Sequence, residues 1–251
     1  MYYLEFDERF GGPLRKFSWE YLWESPGSVE VFSKSAQGRK ILLWEVGGQA
    51  YFIKKFTTYR HGETYGASNE WERIREVRNR GLNTVCPVAF GYSKNRAFVI
   101  TLRMPGYSLE DWVLKHECTD FEQVVSSLAT YAGRFHLLGY AHQDFYFSHF
   151  FWEPSSREIF LIDFQRVRKA NNPVQTTYYI LKDLAQIMFS ASFFLNNSSF
   201  SKFKEIFVET YAQHVPLIRR RWFLRALDFK KKKIEKHDLK RKLSRIRILK
   251  T

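Results

Sequence analysis

The sequence predicts an α+β fold: a small antiparallel β lobe followed by a larger helical lobe. Two apolar runs flank Gly47-Gly48, strand-like runs crowd into roughly the first hundred residues, and helix-period patterns dominate after Pro105-Gly106. Strands first and helices second place the join near Leu102–Gly106. Ser28–Ser33 reads as a strand. Lys40–Val46 and Gln49–Phe56 read as a hairpin closed by the glycine pair. Ala67–Arg80 follows as a helix stopped by Gly81, and Val88–Tyr92 and Ala97–Leu102 as two more strands. Phe121–Gly139 carries apolar residues at 121, 124, 125, 128, 131, 135 and 138, one face of a helix. Ile159–Phe164 is a short strand, and Thr177–Phe194 and Phe200–Gln213 are further helices. The resulting organisation is a β-rich lobe with one helix over 1–104, a helical lobe over 105–216 and a basic tail over 217–251.

The 251 residues suffice for one large domain or two lobes with a sizeable core. Acidic residues in the opening MYYLEFDERF do not fit a secretory leader, and no run of about 18 apolar residues reads as a spanning helix. Cys86 and Cys118 are the only cysteines. That excludes a disulfide-dense fold, fits a reducing cytoplasm, and leaves no paired thiolates for zinc. The net charge of +14 is uneven: Leu217–Thr251 holds 15 Lys and Arg against 3 Asp and Glu, leaving 25 basic and 23 acidic residues elsewhere. A near-neutral body with a cationic tail points to a phosphate-rich partner.

Four charged residues fall in a telling order. Lys54 lies on the third strand and Glu70 on the next helix. Asp144 follows a long helix in His142-Gln143-Asp144. Asp163 ends a short strand in Leu161-Ile162-Asp163-Phe164. This is the order of a phosphotransferase that uses ATP and Mg²⁺. A strand lysine offers a fixed cation to the α- and β-phosphates, and a helix glutamate aims it. Asp163 is a hard oxygen ligand for Mg²⁺. Asp144 accepts a hydrogen bond from the attacking hydroxyl and lines it up with the γ-phosphorus. Each residue alone also fits a plainer role: solvated lysine, exposed helix glutamate, turn former, strand-end cap. Alternation puts Lys54 and Lys55 on opposite faces without choosing between them.

EVGGQAYFIKKF (45–56), NEWERIREVRNRGLNTVCPVAFGY (69–92), HQDFYFSHFFW (142–152), LIDFQRVR (161–168) and KDLAQIMFSA (182–191) together resemble the lipopolysaccharide core kinases of Gram-negative bacteria, the heptose and Kdo kinases of the WaaP and InaA kind. The resemblance implies a bilobal protein-kinase-like fold with ATP and Mg²⁺ in the cleft between the lobes. It implies Lys54 as the phosphate lysine, Glu70 as its partner, Asp144 as the catalytic aspartate, Asp163 as the Mg²⁺ ligand and Asp183 as a buried brace of the catalytic loop. Ser33–Lys40 stands where a phosphate-covering loop would be, so Gly38 and Lys40, with Arg39, join the expected nucleotide contacts. His149 replaces the second Mg²⁺-binding Asn of protein kinases. Imidazole suits Mg²⁺ poorly, so phosphate binding, water ordering and weak metal ligation stay open for it. Gln143 replaces Arg before the catalytic aspartate, leaving no cation there to read a phosphate on the chain. Gln165 replaces the glycine of Asp-Phe-Gly, which implies a less mobile switch. About a dozen residues separate Asp163 from the helix near Thr177, which argues against a peptide substrate.

The implied acceptor is a heptose or Kdo hydroxyl of the lipid A–core oligosaccharide, at the cytoplasmic face of the inner membrane. The basic tail, with Trp222, Phe223, Leu227 and Phe229 among its cations, reads either as a solvated helix or as one that lies on an anionic membrane surface. No nucleic-acid-binding module is recognisable. Two rivals remain: a kinase-like transferase acting on a protein or another small molecule, and a non-catalytic scaffold of the same fold.

Overall fold

The computed structural model describes residues 2–34, 38–57, 63–116 and 118–248. The chain divides into two compact units, residues 1–105 with 160–167, and residues 106–159 with 168–251. Residues 35–37 of the Ser33–Lys40 loop, and the last three residues of the tail, lie outside the described residues.

The first unit is a six-stranded antiparallel sheet in the order β1-β5-β6-β4-β3-β2. Its strands are β1 (Tyr2–Phe6), β2 (Val29–Lys34), β3 (Arg39–Val46), β4 (Gln49–Phe56), β5 (Pro87–Ser93) and β6 (Arg96–Leu102). Gly47 and Gly48 both have positive φ, so only glycines turn the β3–β4 hairpin without strain. Period-two alternation sends Tyr51 and Ile53 of β4 to one face, where they meet Trp19, Leu22 and Trp23 of α1 (Trp19–Glu24). Phe56 goes to the other face, against Ala67 and Trp71 of α2 (Glu63–Asn79). Lys54 shares that second face by parity.

The first unit also takes in residues 160–167, although chain order alone assigns them to the helical part. Leu161 pairs with Thr84 in a parallel bridge, and the Val85 amide donates to the Leu161 carbonyl at 3.1 Å. The predicted strand Ile159–Phe164 is therefore shorter. β10 (Glu158–Leu161) stops before Asp163, whose backbone is left-handed (φ 62°, ψ 63°), and Phe164–Arg166 form a 3-10 turn.

The second unit is mainly helical. It holds β7 (Tyr107–Ser108), α3 (Leu109–Lys115), α4 (Phe121–Leu137), β8 (Tyr140–Ala141), β9 (Phe150–Glu153), β11 (Arg168–Lys169), α5 (Pro173–Phe194), α6 (Asn197–Ala212) and α7 (Arg221–Ile248). α4 packs on α6, and α5 on α7. The core includes Val125, Leu128 and Phe135 of α4, Leu184 and Ile187 of α5, Phe203 and Phe207 of α6, and Phe223 and Leu227 of α7. Caps set the helix starts. The side chain of Asn172 accepts from the Gln175 amide with Pro173 at the first helical position, and that of Asn196 accepts from the Ser199 amide. Both helices thus begin a few residues earlier than periodicity predicts. The segment between Asp163 and α5 is correspondingly shorter, and part of it is consumed by pairing β11 with β8.

Candidate active site

In the first unit the two predicted carboxylates meet the predicted lysine. Lys54 Nζ donates to Glu70 Oε1 at 2.6 Å and to Asp163 Oδ1 at 2.9 Å. The Lys54 and Glu70 side chains are 13% and 4% exposed, whereas that of Asp163 is 24% exposed. Burial disfavours the ammonium, but the carboxylates of Asp163 and Glu70 outweigh it and hold Lys54 above the ordinary lysine range. Burial pushes the Glu70 carboxyl up, against the pull of Lys54.

Register separates the two lysines. Lys54 stands opposite Ile41 and Val99, and Lys55 opposite Lys40 and Phe98. Side chains of directly opposed residues share a face. Lys55 points to the α1 face, lies 5.3 Å from the Trp23 ring centre, and is lowered by burial. Lys40 shares the face of Lys55, is half exposed, and pairs with Glu30 at 3.0 Å. The cation of this strand on the Lys54 face is Arg39, two residues before Ile41. Its Nη1 donates to Gln165 Oε1 at 2.5 Å. Gly38 has φ 58° and its carbonyl accepts from the Thr57 amide at 2.7 Å and the Thr57 hydroxyl at 2.9 Å. That closure, in a left-handed backbone, is what requires glycine at this position.

The second unit holds the predicted catalytic loop, organised from α5. Asp183 is fully buried and accepts from the His142 amide at 2.6 Å, the Gln143 amide at 2.9 Å and His136 Nε2 at 3.3 Å. One helical turn on, Gln186 accepts from the Phe145 amide at 2.9 Å and donates to the Gln143 carbonyl at 3.0 Å. Ser190 Oγ accepts from the Phe147 amide at 3.3 Å. These contacts fix the loop around Asp144, with Gln143 in the left-handed region at φ 70°. His149 Nδ1 donates to the Asp144 carbonyl at 2.6 Å, which puts the lone pair of the neutral ring on Nε2. Lys182 Nζ donates to Gln143 Oε1 at 2.9 Å. A lysine of α5 thus reaches Gln143, the residue before Asp144.

Sequence reasoning missed Gln186, Ser190, His136 and Asn69. The first two were legible as a polar stripe at 183, 186 and 190, spaced to fall on one face of the helix. Asn69 is the buried residue beside Glu70, and nothing in its local pattern distinguishes it from a surface asparagine.

The family model for lipopolysaccharide kinases of the Kdo/WaaP type matches residues 26–211, nearly three quarters of the chain. The chain belongs to the lipopolysaccharide kinase (Kdo/WaaP) family. Among curated relatives of this lipopolysaccharide kinase family member, the lipopolysaccharide core heptose(I) kinase WaaP of Pseudomonas aeruginosa is 28% identical over 184 residues, 63% of this chain and 69% of that protein. The Escherichia coli protein of the same description is 29% identical over 148 residues, and the match spans only 54% of its length. Among solved structures, WaaP in complex with acyl carrier protein aligns over 93% of this chain and 98% of that one, with TM-score 0.69 and 23% identity. An aminoglycoside-3'-phosphotransferase of type VIII aligns over 89% and 100%, with TM-score 0.59 and 18% identity. The α+β, kinase-like fold expected of this family is the fold observed.

The donor set suits Mg²⁺ in this lipopolysaccharide kinase. Among the described residues, no three His, Cys, Asp or Glu side chains converge as a protein-built metal cage. Mg²⁺ in phosphoryl-transfer sites is held by one or two carboxylates together with nucleotide phosphates. Asp163, partly exposed and with oxygen donors only, is a carboxylate of that kind.

Proposed function

We propose that this chain transfers the γ-phosphoryl group of ATP to a sugar hydroxyl, a heptose or Kdo, of the lipopolysaccharide inner core. The observation that carries the reading is Lys54 held at hydrogen-bond distance from both Glu70 and Asp163. In this proposal Lys54 binds nucleotide phosphate and Glu70 aims it. Of the two cations expected near phosphate, Arg39, on the face of Lys54, takes that role and Lys40 does not. Asp163 with nucleotide phosphates would hold Mg²⁺, which when bound neutralises charge developing on the transferred group. Asp144 orients the acceptor hydroxyl and receives its proton. His149 steadies the Asp144 carbonyl.

The test is mass spectrometry of core glycolipid from cells lacking the chain and complemented with it or with Asp144→Ala. One phosphate on one inner-core sugar should depend on the intact chain. Unchanged core glycolipid in its absence sinks the acceptor assignment. ATP turnover unaffected by Asp144→Ala sinks the enzymatic role and leaves the scaffold reading.

We place the enzyme peripherally on the cytoplasmic face of the inner membrane, through α7. No described helix is long and apolar enough to cross a membrane. α7 buries Phe223 and Leu227 on one face, while Trp222 and Phe229, more than half exposed, project elsewhere among exposed Arg221, Arg225, Lys232, Lys233 and Lys236. Interfacial aromatics among cations suit anionic lipid, each basic residue adding at most about 1 kcal/mol. Cosedimentation with anionic vesicles should be strong and salt-sensitive, and weakened by Trp222→Ala with Phe229→Ala. Equal binding to zwitterionic vesicles contradicts this placement.

A further inference from the structure

We propose that Gln165 and Asn69 form a fixed clamp that positions Asp163 for the nucleotide, so that this segment is pre-set rather than switched. The proposal rests on the kinase reading above. Asp163 needs help to hold its place: a left-handed aspartate costs about 1 kcal/mol relative to ordinary backbone. The segment that follows it is gripped on three sides, all within the first unit. Asn69 Nδ2 donates to the Gln165 carbonyl at 2.9 Å and to the Val167 carbonyl at 3.2 Å. Arg39 Nη1 holds the Gln165 side-chain oxygen. Gly66, one turn before Asn69 in α2, leaves the space into which Gln165 packs. A Cβ built there would sit 2.7 Å from Gln165 Nε2 and 3.3 Å from its Cγ.

The geometry has a direct consequence for chemistry. Asn69 precedes Glu70, so the helix turn that aims Lys54 also anchors the backbone just past Asp163. Glu70, Lys54 and Asp163 are thereby set by one element. Glycine inside a helix is unfavourable by about 1 kcal/mol relative to alanine, and here the approach of Gln165 accounts for it. A glycine at 165 would remove the side chain that Arg39 and Gly66 engage. Asn69 and Gln165 touch no reacting atom in this argument; they are positioning residues.

Two measurements on the full chain test the clamp. In hydrogen exchange, Asn69→Ala and Gln165→Met should each raise exchange across residues 162–167 about tenfold, as expected for losing one or two hydrogen bonds, with α4–α6 unchanged. Gly66→Ala should act like Gln165→Met, and combining the two should add little. In ATP turnover, the Mg²⁺ concentration for half-maximal rate should rise about tenfold in Asn69→Ala while the rate at saturating Mg²⁺ recovers. A variant that merely unfolds in part lowers the rate without moving that midpoint. Unchanged local exchange together with an unmoved Mg²⁺ midpoint overturns the proposal. If the intact chain shows no ATP turnover, the kinase reading fails, and the exchange data alone decide whether the clamp exists.

Discussion

The two units solve the problem of holding reactive groups in opposite ways. In the first unit, Lys54 is held by charges, Glu70 and Asp163, and the outermost carboxylate keeps some access to solvent. In the second, the loop around Asp144 is held by buried hydrogen bonds that backbone amides donate to Asp183, Gln186 and Ser190. Lys54 and Glu70 are nearly buried, so loss of either partner leaves the other charge uncompensated. Amides bound to buried acceptors are likewise expensive to release.

That contrast can be broken from either side. Asp183→Ala should cost about 3 kcal/mol of stability, since it leaves two buried amides and His136 without their acceptor. Urea unfolding measures it, and Asp183→Asn, which keeps an acceptor oxygen, should cost less. Lys54→Met should instead act on nucleotide binding, weakening it on the order of a hundredfold, with a smaller change in unfolding midpoint. Its pH behaviour sharpens the point. A lysine raised in the folded state contributes stability in full below its ordinary value of 10.5, lost only as pH rises past the raised value. Removing Lys54 also lifts the buried Glu70 carboxyl further above its ordinary value, so the variant should lose stability relative to the parent chain as pH rises through the Glu70 range. A flat difference contradicts the ion-pair account. Ser190→Ala removes one long hydrogen bond to the Phe147 amide and should cost about 1 kcal/mol, read as a small drop in thermal midpoint without a change in Mg²⁺ dependence.

Much of this architecture was legible from residues. The Gly47-Gly48 hairpin declares itself because two adjacent positive-φ residues admit little else, and β4 matches its expected limits, Gln49–Phe56, residue for residue. The helix starts at Pro173 and Asn197 were signalled by caps that periodicity overlooked. β1, α1 and α3 were missed for a different reason. They are short; Trp19 and Trp23 of α1 and Trp112 of α3 obtain their burial from the elements they pack on rather than from their own pattern, and Tyr2 and Tyr3 of β1 stay exposed. The order Lys54, Glu70, Asp144, Asp163 could be read, yet the choice of Lys54 over Lys55 could not. Two lysines at adjacent positions are symmetric until the register against Ile41 and Lys40 is known. The same register puts Arg39, and not Lys40, on the face of Lys54. Asn69 needed the long-range fold, because its partners lie nearly a hundred residues away at Gln165 and Val167.

The most direct test uses γ-labelled ATP, purified core glycolipid lacking the inner-core phosphate, and the intact chain beside Asp144→Ala. The account predicts label on a single sugar hydroxyl with the intact chain and a rate about a thousandfold lower in the variant, with unfolding midpoints matched. Equal labelling by both proteins, or none by the folded intact chain in Mg²⁺, contradicts it.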